Sequence, residues 1–95
     1  MNVSFDTRIS VSTNLLVSNV ADEVVILNCN DETYYGLNKT GSRIWNSLTK
    51  GNSILDTYEI LLLDLKVKNE TLLRDMLILI EQLAIRGLVK IAEVE

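Results

Sequence analysis

The pattern of apolar residues changes near residue 38, and this change limits the chain to folds that contain both strands and helices. Residues 15–37 are rich in Val, Ile, Leu and Tyr and are interrupted by two turn-prone clusters, ADE and NCNDE. This composition predicts strands at about 14–20, 22–29 and 33–37, joined by tight turns into an antiparallel meander. The middle segment is apolar at nearly every position, as is typical of a central strand, so 33–37 is predicted to be an edge strand.

Helical patterns follow this strand region. Two helices are predicted over about 38–50 and 53–65, each with a side chain suited to capping its first turn. A third helix is predicted to begin after Asn69 and to end at Gly87. Gly41 lies inside the first helix, where glycine costs about 1 kcal/mol relative to alanine. Either another backbone approaches closely there or the helix tolerates a weak position.

The third helix is too apolar to bury only one face. Its core stripe on a helical wheel consists of Leu72, Met76, Leu79, Ile80 and Leu83. Leu73 and Leu77 broaden the stripe on one flank, whereas Ile78 lies on the other flank among Asp75 and Gln82. A second surface of this helix is therefore expected to contact something besides the core.

The order of the elements predicts an α+β fold, a winged helix-turn-helix with a three-stranded antiparallel sheet followed by three helices. No linker, repeat or low-complexity stretch divides the chain, so one domain over residues 1–95 is expected. Residues 1–13 are expected to be either partly disordered or an additional edge strand. A last strand or wing is expected over 88–94.

The net charge of the chain limits the kinds of partner that it can bind. Nine Lys and Arg face thirteen Asp and Glu, which gives a net charge of −4, the wrong sign for binding nucleic acid through its phosphates. No segment has the pattern of a secretory signal or the ~20 apolar residues that span a membrane. The single cysteine, Cys29, is expected to be a buried, inert thiol. These features predict a cytoplasmic protein that binds neither nucleic acid nor membranes.

Catalytic arrangements are lacking in the sequence. It contains no histidine and one cysteine, so the usual bases, metal sites and activated nucleophiles are excluded. The acidic pairs at 22–23 and 31–32 fall in predicted turns, where a solvated surface role is favoured. No glycine-rich phosphate loop is present, and no cofactor is predicted. The chain is therefore predicted to be a binding module and not an enzyme.

One run of residues resembles a known family. The sequence YYGLNKTGSRIW at 34–45 is similar to the Y-x-L-N-x-T-G-x-x-I-W core of the pyrroloquinoline quinone biosynthesis protein D (PqqD-like) family. The ending at 74–89 is similar to that family's D-V-x-x-F-L-x-x-L-x-x-x-G-L-V pattern, with Met76 in place of Val and Leu79 in place of the aromatic residue. The similarity covers roughly residues 14–90.

The resemblance implies a RiPP recognition element, a module that holds the leader segment of a ribosomally made precursor peptide. The chain looks most like the free-standing leader-binding half of a split lasso-peptide B protein, whose partner is a leader peptidase or other modifying enzyme. A leader would add to the strand at 32–37 and lie against the third helix. The expected peptide-binding residues are Glu32, Thr33, Tyr34, Tyr35, Gly36, Arg74, Asp75, Ile78, Leu79 and Gln82.

Two other functions and one structural detail stay open at this level. The same fold could place the third helix in DNA, in which case binding to a duplex would weaken steeply with salt. The apolar flank of that helix could instead form a dimer that a leader does not change. The strand register is open by one residue, which would exchange Tyr34 and Tyr35 between the faces of the sheet. The register also decides whether the N–H of Tyr35 faces the groove. If it does, proline at Tyr35 is expected to impair binding more than folding.

Overall fold

The fold follows the predicted order of strands before helices. A computed structural model describes residues 6–92, so the outer parts of the terminal segments 1–13 and 88–94 lie outside the described residues. The strands are β1 (Arg8–Val11), β2 (Leu15–Val20), β3 (Glu23–Asn28), β4 (Thr33–Gly36) and β5 (Val89–Ala92). The helices are α1 (Lys39–Thr49), α2 (Ile54–Asp64) and α3 (Asn69–Ile85).

Strands β2, β3 and β4 form the predicted antiparallel sheet, in that order. Its inner face carries Val24 and Ile26, which are fully buried against the helices. Successive side chains point to opposite faces of a strand, so Val25 and Leu27 lie on the outer face and are only partly buried. The three-stranded sheet followed by three helices confirms the α+β, winged helix-turn-helix prediction.

A second sheet joins the two ends of the described chain. β1 pairs antiparallel with β5, with Ile9 opposite Ile91. The Ser12 hydroxyl donates to the Gly87 carbonyl oxygen at 2.6 Å, and the Arg8 Nε donates to the Gly51 carbonyl oxygen at 3.0 Å. The N-terminal segment does form a strand, but β1 pairs with β5, and among residues 6–92 no strand pairs with the outer edges of β2 and β4.

The core lies between the inner face of the sheet and the three helices. Trp45 of α1 is 2% exposed, and the third helix contributes its predicted stripe. The buried apolar residues of that helix are Leu72, Met76, Ile80 and Leu83. Leu79, the other predicted member, is only partly buried and packs against this cluster from its edge.

Local capping explains where the helices begin and end. The Asn38 side chain accepts the Gly41 N–H at 2.7 Å. Ser53 and Asp56 form the predicted capping box, with their side chains each bonded to the other's backbone N–H. Helix α3 begins at Asn69, one residue earlier than predicted, and Gly87 follows its end with φ +73, the left-handed conformation that favours glycine.

Two further findings concern the surface. Cys29 is exposed, so the prediction of a buried thiol is wrong; the residue lies just past the end of β3, where the chain turns away from the core. Among residues 6–92, no helix combines the length and the apolar character that crossing a bilayer would need.

The turn between β2 and β3 offers a test of backbone strain. Ala21 and Asp22 both have positive φ, 50 and 68, and they connect the paired residues Val20 and Glu23. Two-residue turns of this kind favour Asn-Gly. We expect Ala21→Asn combined with Asp22→Gly to raise the free energy of unfolding by about 1 kcal/mol. Urea denaturation followed by Trp45 fluorescence measures the change.

A β-branched residue provides the opposite control for this turn. Valine tolerates positive φ poorly, so Ala21→Val is expected to lower the free energy of unfolding. Equal stability of the Asn-Gly and Val variants would contradict a strained turn.

Candidate peptide-binding groove

Strand β4 is an edge of the three-stranded sheet, and its hydrogen bonds show which backbone groups face outward. The Leu37 N–H donates to the Val24 carbonyl oxygen at 2.9 Å, and the register pairs Tyr35 with Ile26. Bonded pairs alternate in an antiparallel ladder, so residues 33, 35 and 37 bond to β3. The N–H and C=O groups of Tyr34 and Gly36 therefore point away from the sheet.

This hydrogen-bond pattern determines the strand register. It also shows that the backbone N–H on the free edge is that of Tyr34 and not that of Tyr35. Tyr34 is 70% exposed on the outer face of the sheet, whereas Tyr35 is half-buried on the helix side. The N–H of Tyr35 faces β3, so proline at Tyr35 would break the sheet itself. Tyr34 is the position where proline probes the free edge.

Ser42 joins the end of this strand to the first helix. It is 1% exposed, and its hydroxyl oxygen accepts the Val24 N–H at 2.7 Å. The same hydroxyl donates to the Leu37 carbonyl oxygen at 3.3 Å. A side chain of α1 thus substitutes for one ladder bond between β3 and the residue that follows β4.

Tyr35 links β4 to the third helix. Its hydroxyl donates to Gln82 Oε1 at 2.9 Å, and the Arg86 guanidinium lies 4.7 Å from the centre of its ring. The hydrogen bond and the cation–π contact hold the strand and the C-terminal half of α3 together. They also close one end of the space between these elements.

A groove of about 380 Å³ lies between β4, the start of α1 and α3. Ile78 stands on its α3 wall with 48% of its surface exposed, and Ile44 lies buried at its base. Asp75 contributes a half-exposed carboxylate. The lining residues are Tyr35, Gly36, Leu37, Asn38, Thr40, Gly41, Ile44, Asp75, Ile78, Leu79 and Gln82. The groove therefore combines apolar walls with amide and carboxylate oxygens.

Six of the ten residues expected from the sequence line this groove. They are Tyr35, Gly36, Asp75, Ile78, Leu79 and Gln82. Of the two flanks of α3 that the sequence left open, Ile78 lies on the groove, whereas the partly buried Leu73 and Leu77 do not line it.

The other four expected residues lie elsewhere. Thr33 and Tyr34 border a smaller cavity of about 180 Å³ on the far side of Tyr35. Glu32 is an exposed turn residue with φ 60, and Arg74 points to solvent with its Nε 3.9 Å from Asp75 Oδ1. Neither Glu32 nor Arg74 lines the groove, because one precedes the strand and the other lies on the outer surface of α3.

The junction between β4 and α1, together with the first turns of α1, supplies groove residues that were missing from the expected set. They are Leu37, Asn38, Thr40, Gly41 and Ile44. All five belong to the run at 34–45 that carries the family resemblance, so that run already indicated their importance. Considering only the strand and the third helix left out the element that forms the base of the groove.

Gly41 has a steric role in this base. A Cβ at this position would lie 3.2 Å from Asn38 Oδ1 and 3.6 Å from Leu79 Cδ2. The close neighbours are side chains. The close approach of another backbone, one of the two explanations that the sequence allowed, is therefore not the reason for this glycine. Glycine thus lets Leu79 of α3 approach the first turn of α1 beside the capping Asn38.

Asp31 is a charged residue beside the smaller cavity. Thr33 lowers the pKa of the Asp31 carboxyl, first through its hydroxyl at 2.6 Å and then through its N–H at 3.1 Å. This keeps Asp31 ionised beside the smaller cavity.

Over residues 6–92, no group of three or more His, Cys, Asp and Glu side chains is arranged to hold a metal ion.

Comparison with known proteins gives one family match. The family model described as "Coenzyme PQQ synthesis protein D (PqqD)" matches residues 23–89. This range includes β3, β4, all three helices and the first residue of β5, and therefore the whole groove. No curated protein matches the sequence significantly.

Two solved structures are similar over most of the chain. One is described as TbiB1 in complex with the TbiA(beta) leader peptide; it has a TM-score of 0.79, is 28% identical, and the match covers 90% of this chain and 98% of that one. The other is a lasso peptide synthetase B1 complexed with the leader peptide, with a TM-score of 0.80, 23% identity, and coverage of 87% and 98%. The second comparison supports the fold alone.

Removal of the Ser42 hydroxyl tests how the base of the groove is held. Ser42→Ala leaves the buried Val24 N–H without its acceptor, and an unsatisfied buried donor costs about 1–3 kcal/mol. We expect the free energy of unfolding in urea to fall by that amount. Ser18→Ala, at an exposed position of β2, is the matched control. An equal effect of the two changes would contradict the role of the buried hydroxyl.

Proposed function

The chain belongs to the coenzyme PQQ synthesis protein D family, and from that premise we propose that it binds the leader segment of a ribosomally synthesised precursor peptide. The free edge of β4 beside an apolar groove is the observation that carries this proposal. TbiB1, a protein of the same fold with 28% identity, is in complex with a leader peptide. The product class that the sequence resemblance at 34–45 favours is a lasso peptide.

The backbone part of the interaction uses the outward groups of β4. A leader in extended conformation pairs with the N–H and C=O groups of Tyr34 and Gly36 and becomes a fourth strand of the sheet. An exposed sheet edge is suited to such pairing because its polar groups have no partner strand. Gly36 has no side chain, and a Cβ there would meet no atom within 4 Å. The edge is thus open on the outer face of the sheet at this position.

Side chains of the groove supply selectivity. Alternate residues of the added strand face α3, where Ile78 and Leu79 offer apolar contacts and Gln82 and Asp75 offer oxygen acceptors. We assign the leader-binding role to Thr33, Tyr34, Tyr35, Gly36, Asp75, Ile78, Leu79 and Gln82, with Leu37, Asn38, Thr40 and Ile44 as further contacts. Glu32 and Arg74, expected from the sequence, remain contacts only for a leader that extends beyond the groove.

The chemistry of maturation is assigned to a partner. The chain has no histidine and a single cysteine, so the proposed role is presentation of the precursor to a leader peptidase or another modifying enzyme. The net charge of −4 opposes the DNA-binding alternative.

Fluorescence polarisation of a labelled leader peptide, encoded beside the gene of this chain, tests the proposal. Saturable binding is expected, and its absence for every neighbouring leader would contradict the function. Tyr34→Pro removes an outward N–H, and we expect it to raise the leader Kd by about tenfold or more. The sheet should remain intact, because edge strands tolerate proline where the N–H faces outward.

Two controls make the proline test specific. Asn19→Pro removes an N–H that faces outward from β2, the opposite edge of the sheet, since residues 16, 18 and 20 bond to β3. It should leave the leader Kd unchanged. Tyr34→Ala keeps the N–H and separates the effect of the side chain. Equal loss of binding in the two proline variants would contradict strand addition to β4.

A charge on the wall of the groove provides an independent test. Ile78→Asp places a carboxylate where the leader is expected to bury apolar surface, and desolvating that charge should raise the leader Kd by about tenfold or more. Ile78 is 48% exposed, so the fold should survive. The matched control is Leu63→Asp on α2, where the side chain is 89% exposed. Unchanged binding by Ile78→Asp would exclude this wall from the site.

A further inference from the structure

The outer face of the three-stranded sheet carries an apolar surface that no part of residues 6–92 covers. Leu16, Leu27 and Tyr34 are cross-strand neighbours in one row over β2, β3 and β4. Leu16 is 61% exposed and Tyr34 is 70% exposed, and Val20 at the far end of β2 is 60% exposed. We call these three exposed residues, with the partly buried Val25 and Leu27, the outer sheet face. Contiguous exposed apolar surface of this kind is typical of an interaction site.

The charges that strands β2, β3 and β4 and their two turns carry all have one sign. No Lys or Arg occurs between Arg8 and Lys39. The four acidic residues of that stretch are Asp22, Glu23, Asp31 and Glu32, and they account for the whole net charge of −4. They lie at the two hairpin turns, one pair at each end of the strands. The outer sheet face is therefore apolar in its centre and negative at both ends.

Asp31 keeps this charge at mildly acidic pH. Its carboxylate accepts the hydroxyl and the N–H of Thr33, and these bonds lower its pKa. A partner with complementary chemistry has apolar side chains flanked by Lys and Arg. A second copy of this chain lacks that complementarity, because its outer sheet face would bring acidic turns against acidic turns. An anionic lipid surface is disfavoured for the same reason.

The outer sheet face also continues into the proposed leader site. Tyr34 belongs to the row described above, and its backbone borders the edge where the leader is proposed to add. A leader strand would extend the sheet, so every second side chain of the leader would lie beside Tyr34 on the same face. A protein docked there would contact the module and the bound precursor together.

From these observations we infer that the outer sheet face docks the enzyme that acts on the bound precursor, through an apolar patch of that enzyme rimmed by Lys and Arg. This inference rests on the proposed function, because the docked enzyme is the one to which the chain is proposed to present its precursor. The mechanism is that the enzyme recognises the composite surface of module and leader. Docking on the outer face leaves the groove, which opens on the helix side, free to hold the peptide.

The test uses the full chain and the leader peptidase encoded beside its gene. Leu16→Ser combined with Val20→Ser is expected to weaken peptidase binding, measured by isothermal titration calorimetry with the leader present, by about tenfold or more. The leader Kd from fluorescence polarisation should not change. Leu63→Ser on α2 removes an even more exposed apolar side chain from a helix that does not belong to the sheet, and it should affect neither measurement.

A charge reversal tests the complementarity. Glu23→Lys is expected to weaken peptidase binding, and the effect should shrink as NaCl rises from about 50 mM to about 500 mM. Glu59→Lys, at an exposed position of α2, is the matched control.

Four results would overturn the inference. The first is undiminished peptidase binding by the double Ser variant, and the second is a parallel loss of leader affinity, which would assign the face to the leader. The third is a wild-type dimer that Leu16→Ser dissociates, and the fourth is lack of peptidase binding to the wild-type chain. Failure of the wild-type chain to bind any leader contradicts the proposed function instead, so the two failures are distinguishable.

Discussion

The buried hydroxyl of Ser42 is the contact on which the geometry of this molecule depends. It accepts the Val24 N–H and donates to the Leu37 carbonyl oxygen, so one side chain satisfies backbone groups of β3 and of the residue after β4. Because both groups are removed from water, their pairing with α1 is obligatory and not optional. This contact ties α1 to β3 and to the end of β4, and the groove lies between the end of β4, the start of α1 and α3.

Much of the fold could be predicted because its signals are local. The change of apolar period near residue 38, the cap at Asn38 and the capping box at Ser53 each act within a few residues, and each gave an element close to its observed bounds. The pairing of β1 with β5 could not be predicted, since its partners are about eighty residues apart and only tertiary packing brings them together. Exposure of Cys29 likewise depends on where β3 ends.

The groove was predictable in part, for a related reason. Helical periodicity placed Ile78 and Gln82 on one flank of α3, because these residues lie within a regular helix. The strand pattern left Tyr34 and Tyr35 interchangeable, and only the ladder bonds of β4 place Tyr35 on the helix side. Periodicity gave no information on the junction between β4 and α1, where Asn38 and Gly41 owe their positions to capping and to the approach of Leu79. Arg74 shows the converse error, since its neighbour Asp75 lines the groove and it does not.

The shortness of β4 has a consequence for evolution and engineering. Only two of its residues direct backbone groups outward, so strand pairing contributes few hydrogen bonds, each of modest net worth. Such pairing carries almost no information about the sequence that it holds. Under the proposed function, discrimination between one precursor and another then resides in a handful of groove side chains, and the leader is a transferable tag. Grafting the matching residues onto an unrelated cargo should bring that cargo under the control of this module.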